Sequence, residues 1–143
     1  MRRLAIFSLV IGFIGVIALF VLSFSARSAE RTPILTDASW LAEDINGGGV
    51  IDFAQTTLTI NRDGSAIGSG GCNHFRTKAA LKKQKLRFKA VAATRMACAP
   101  ALMNQEQKFF AVLERTRSFA IIEGKLFLRD KAGKSIARLT RQN

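Results

Sequence analysis

Histidine occurs once in this chain of 143 residues, at position 74, and cysteine only twice, at 72 and 98. Tyrosine is absent, and ten acids stand against 22 lysines and arginines. A single imidazole excludes most histidine-based triads, and no two acids fall at a spacing that suggests glycosidase or aspartic-protease chemistry. Zinc needs three or four converging ligands, which two cysteines, one histidine and few nearby acids do not supply. Phosphate loops are missing as well. Gly47, Gly48 and Gly49 are followed by a strand rather than a helix, and Gly68, Gly70 and Gly71 fail the dinucleotide-binding spacing. There is no internal repeat and no low-complexity tract. These absences leave no catalytic constellation, metal or cofactor to assign, and the chain reads as a non-enzyme.

What the sequence does have begins at its N-terminus. After Met1, Arg2 and Arg3, residues 4–24 run without a charge. As a helix they would extend roughly 31 Å, enough for a bilayer core of about 30 Å. Two preceding arginines mark an export signal with its N-terminus in the cytoplasm. Two outcomes stand. The run stays as a transmembrane anchor in the inner membrane, or it is cut before Ala29, where Ala26 and Ser28 supply the small residues of a cleavage site. No cysteine lies near the end of the run, so a lipoprotein anchor is excluded. Residues 1–28 are read as signal or anchor, 29–35 as linker and 36–140 as one domain with one core. Without residues 1–28, 19 basic residues face ten acidic ones, a net charge of +9. Beyond the inner membrane, the polyanions within reach are lipid headgroups and envelope polysaccharide rather than nucleic acid.

The pattern then alternates between strand and helix periods. A strand is predicted over 39–45 around Trp40, and another around Leu58 and Ile60, closed by a turn at 61–64. Beyond a lysine-rich turn, Leu86, Phe88 and Ala90 line one face of a strand and Lys85, Arg87 and Lys89 the other. Residues 101–116 change to a helical period that places Leu102, Glu106, Phe109, Phe110 and Leu113 on one face, with Pro100 suited to the first turn. Strands are predicted again at 119–122, 125–129 and 135–140.

Three chemistries compete for Cys72 and Cys98. A metal site lacks ligands. A thiol enzyme would pair Cys72 with His74, two residues away on the same face of an extended stretch, yet no third group orients the imidazole. The oxidising compartment favours a Cys72–Cys98 disulfide, worth about 3 to 4 kcal/mol in the chain-entropy model.

Taken together, "SWLAEDINGG", "GSGGCNHF", "TRMAC", the helix with Glu106 and "GKLFLRDKAGKSIARL" resemble the META domain family, which includes heat-inducible proteins of the HslJ type. The resemblance implies a small α+β fold, a strongly curved, barrel-like antiparallel sheet with one main helix packed on it. It implies a periplasmic or envelope location and an association with stress or antibiotic tolerance, and it brings no established catalytic residues. The family pattern carries an arginine and an acid at places matching Arg95 and Glu106. With Glu106 on an apolar helix face, an Arg95–Glu106 ion pair is expected.

The leading functional expectation is a non-enzymatic envelope module with a binding or structural role, its partners being the inner membrane through residues 4–24 and an envelope protein. The alternative is a binder of an anionic envelope component through Lys85, Arg87 and Lys89. A thiol or hydrolytic enzyme at Cys72 and His74 is the third.

Overall fold

The computed structural model describes residues 34–142. The apolar run at 4–24, the cleavage position and most of the linker lie outside the described residues. No helix among the described residues is long and apolar enough to cross a membrane.

The domain is α+β, mostly antiparallel sheet with one helix. Strand β1 (Ser39–Ile45) alternates in burial along its first half, and its Trp40 is fully buried with the indole N–H donated to the Leu35 carbonyl at 3.0 Å. The two-residue β2 (Gly48–Gly49) folds back on β1. β3 (Thr56–Ile60), β4 (Ser65–Gly70) and β5 (His74–Lys82) follow as a meander, joined by the predicted turn at 61–64. β6 (Lys85–Phe88) pairs with the C-terminal half of β5 and β7 (Ala92–Ala93) with its N-terminal half. After the helix α1 (Pro100–Arg115) come β8 (Ser118–Ile122), β9 (Lys125–Arg129) and β10 (Ser135–Arg141).

The strand order is β10-β9-β8-β6-β5-β4-β3-β1-β2, and a further ladder pairs β10 with β1. Pairing therefore runs on through eight strands and returns to its start. It is thinnest between β6 and β8, where one residue pair, Lys85 opposite Ser118, carries the register. The core holds Trp40, Leu58, Leu86, Phe109, Leu128 and Leu139 at zero exposure. α1 packs on β1, β4 and β6. Phe75 of β5 meets Phe109 and Phe110 edge-on, with ring centroids 6.0 and 5.5 Å apart, a favoured arrangement for aromatic quadrupoles.

Two sequence expectations are corrected. The strand predicted through Ala90 stops at Phe88, and Ala90 is exposed. Lys89 is held instead by Lys78, whose carbonyl takes its N–H, and by Thr77, whose hydroxyl donates to its carbonyl. This contact shifts the chain along β5 to form β7. The buried stripe of α1 also differs, comprising Gln105, Glu106, Phe109, Val112 and Leu113, whereas Leu102 and Phe110 are only half-buried. The N-terminal part of the helix thus buries two polar side chains.

Candidate functional site

The polar residues of α1 face a corner that the sequence builds from Gly70, Gly71, Cys72 and Asn73, between β4 and β5. Glycine is required at its first two positions. A Cβ on Gly70 would lie 2.6 Å from Cγ and 2.7 Å from Oε2 of Glu106, closer than carbon atoms pack. Gly71 has a φ of 105°, in the region that favours glycine. Cys72 then bridges to Cys98, two residues before α1, with Cα atoms 6.0 Å apart, within the usual span for a disulfide. The expected staple is therefore present.

Asn73 is the centre of the corner, at 4% exposure. Its backbone N–H donates to Oε2 of Glu106 at 2.6 Å, and its side-chain Nδ2 donates to Oε1 at 2.9 Å. Its Oδ1 accepts from the Thr94 hydroxyl at 2.9 Å and from the Met96 N–H at 2.7 Å. One side chain therefore ties the sheet corner, the 94–98 segment and the helix together. Next to it, Gln105 accepts from the Ile51 N–H at 2.8 Å and donates to the Thr56 hydroxyl at 3.0 Å and the Ala54 carbonyl at 3.3 Å. Thr56 in turn donates to the Gly70 carbonyl at 3.1 Å.

The Arg95–Glu106 ion pair does not form. Arg95 is exposed, and among the described residues it enters no ion pair. The physical reason is that charge-assisted hydrogen bonds from Asn73 already satisfy the buried carboxylate. Asn73 also grips Thr94 and Met96, the residues on either side of Arg95. Asn73 lies in the quoted "GCN" motif and Gln105 beside Glu106, but neither residue's contacts follow from periodicity.

Cys72 and His74 do not share a face. Cys72 sits in the bend before β5 and is buried, whereas His74 opens β5 and is exposed. His74 lies instead in a shallow groove on the outer sheet surface with Thr57, Ser69, Arg76 and Thr94. With both sulfurs in the disulfide, the corner holds no thiolate to act as a nucleophile.

The basic face is larger than the sequence pattern suggests. Lys85 and Arg87 project outward from β6, and Lys89 is exposed just beyond it. β5 adds Arg76, Lys78 and Lys82 on the same outer face, since Ala80 lies opposite Arg87 and Lys82 opposite Lys85. The ion pairs of the described residues lie elsewhere. Arg62 meets Asp37, Arg115 meets Asp130, and Glu43 holds both Lys125 and Arg138.

No curated protein matches the chain. Among solved structures, an NMR structure of a protein from Burkholderia xenovorans superposes with a TM-score of 0.62 at 25% identity, over 76% of this chain and 84% of that one. A second NMR structure gives 0.60 at 24% identity, over 74% and 90%. A family model described as META domain matches residues 33–143, a span that takes in the glycine corner, both cysteines and Glu106. The chain belongs to the META domain family.

Proposed function

We propose that the chain is a non-enzymatic module of the cell envelope, held on the periplasmic side of the inner membrane by residues 4–24 or released there by cleavage, which binds an anionic envelope component. The stress or antibiotic tolerance associated with the family would then come from preserving the envelope rather than from chemistry on a substrate.

One observation carries the reading. The outer face of β5 and β6 sets Lys78, Lys82, Lys85 and Arg87 side by side with no ion-pair partner among the described residues. The buried polar side chains of the glycine corner hydrogen-bond within the fold. Charge meant for the fold is paired, so charge left unpaired on one face suits an outside anion.

The test uses the full chain in neutral detergent on a dextran sulfate column. The Lys85→Gln, Arg87→Gln, Lys89→Gln triple variant should elute at clearly lower salt than the wild type, because anion binding at exposed charges is screened by salt. Identical elution of the two would refute the assignment of this face.

A further inference from the structure

From Gly64 to Gln105 the chain carries eight lysines and arginines and not one acid. The fold sets three of these charges together in the β5–β6 hairpin at one end of the sheet. At the β5–β6 hairpin, Lys82 stands directly opposite Lys85, with Lys83 in the turn at a φ of 54°. Like charges in direct register oppose strand pairing, and neither lysine enters an ion pair among the described residues. Of the acids at this end, Asp130 pairs with Arg115, and the Asp63 carboxylate accepts from the Ser65 hydroxyl at 2.6 Å and N–H at 2.8 Å. These bonds, with a smaller contribution from Lys78, hold Asp63 below the usual aspartate range.

The described domain begins at this same end. The Asp37 N–H donates to the Ile60 carbonyl at 2.8 Å, and its carboxylate meets Arg62 in the β3–β4 turn at 2.6 Å. That turn leads to Ser65, which lies opposite Lys78, and the Ala79 N–H bonds the Gly64 carbonyl at 2.8 Å. From Ala79, β5 runs three more residues to Lys82, about 10 Å at strand spacing. The β9–β10 turn with Lys131 and Lys134 lies at this end too, because Ser118 pairs with both Lys85 and Arg129.

Residues 25–33 are all that separates the apolar run from Ile34. Nine residues reach at most about 30 Å even when fully extended. With the run retained in a bilayer, that length would leave the end at which the chain arrives within reach of the headgroups. We infer that the hairpin of Lys82, Lys83 and Lys85 docks on anionic phospholipid headgroups of the membrane that holds residues 4–24. The inference rests on the anion-binding reading of β5 and β6 and on retention of the apolar run. Each Lys or Arg kept at an anionic leaflet adds roughly fivefold in surface affinity, so three to five act together as a dock. A free polysaccharide would meet the outer face of β5 and β6 along its whole length. A bilayer meets the hairpin end first.

The experiment is amine footprinting of the full wild-type chain, read by peptide mass spectrometry, in nanodiscs of pure phosphatidylcholine and in nanodiscs containing phosphatidylglycerol. Acetylation of Lys82, Lys83 and Lys85 should slow several-fold in the anionic nanodiscs, and high salt should abolish the effect. Lys108 on the exposed side of α1 and Lys125 at the far end of β9 should react alike in both. Equal labelling of the hairpin in the two lipids overturns the inference. If dextran sulfate retention survives that result, the proposed function stands and only the lipid partner is wrong; loss of both ends both. A chain that fails to co-elute with either nanodisc also overturns the inference, through its tether, and leaves the retention result untouched.

Discussion

The glycine corner and the β5–β6 hairpin treat charge in opposite ways. At the corner, the Glu106 carboxylate is buried and bound twice by Asn73, and no buried side-chain nitrogen or oxygen among the described residues lacks a partner. At the hairpin, Lys82 and Lys85 oppose each other in the open with no acid between them. A buried polar group left unmatched costs the fold directly, so the corner must be complete. An exposed charge costs little, so the hairpin is free to be shaped by something outside the chain. The contrast separates residues that hold the molecule together from residues that the proposed partner would meet.

Opening the corner should give the largest effect. Replacing Cys72 and Cys98 with serine should lower stability by about 3 to 4 kcal/mol in the chain-entropy model. Urea unfolding of the full chain in mild detergent, followed by the emission of the buried Trp40, measures it. Asn73→Ala should come next, at about 2 to 3 kcal/mol, because the variant takes one donor from Glu106 and the acceptor from Thr94 and Met96. A cost under about 0.5 kcal/mol for either change, the range of ordinary surface substitutions, would place the corner with the surface and dissolve the comparison.

The hairpin should respond with the opposite sign. Lys85→Glu places an acid across from Lys82, and opposite charges in direct register add about 0.2 to 1 kcal/mol. The variant is expected to unfold at equal or slightly higher urea while eluting from dextran sulfate at lower salt. Stability and binding would then move apart at a single residue. A clear loss of stability would mean that Lys85 serves the fold after all.

How far the sequence discloses each region follows from the same contrast. Alternation at 85–89 exposes Lys85 and Arg87, because Leu86 and Phe88 mark the inner side. β5 hides its share, since its inward residues include Thr77 and Ala79, which do not read as core, and so Arg76, Lys78 and Lys82 are not seen as one face. The cysteine pairing is legible from the expectation of an exported chain, with no geometry needed. Glu106 is legible as a buried acid but its partner is not. Sequence reasoning looks for a cation, whereas the shortest bond comes from a backbone N–H, which every residue but proline carries. The helix stripe is misread for a related reason. Gln105 does not count as apolar, yet it faces a corner whose backbone groups require an amide.

The smallest effect sharpens the comparison by setting two carboxylates against each other. Glu106 is buried with no cation partner among the described residues, whereas Glu43 has two and is about a quarter exposed, at 28% of its side chain. Glu43 accepts from Lys125 at 2.8 Å and from Arg138 at 3.0 Å, linking β1 to β9 and β10. The hydrogen bond from Lys125 is the main force holding its carboxyl below the ordinary value of 4.5, with Lys125's charge and the Arg138 contacts adding to it and partial burial opposing. A carboxyl with a lowered folded-state pKa stabilises the fold fully above its unfolded value, and that stabilisation is lost as pH falls through the folded one. Because both cations are more than a third exposed, solvent screening limits the whole contribution to at most about 1 kcal/mol. Glu43→Gln should therefore cost that much or less at neutral pH, and the gap between variant and wild type should close as pH falls below about 4.5. A gap that persists in acid would show that the Glu43 side chain acts by packing, and that a carboxylate with two surface cations contributes no ionic stabilisation where Glu106, with none, is held by hydrogen bonds alone.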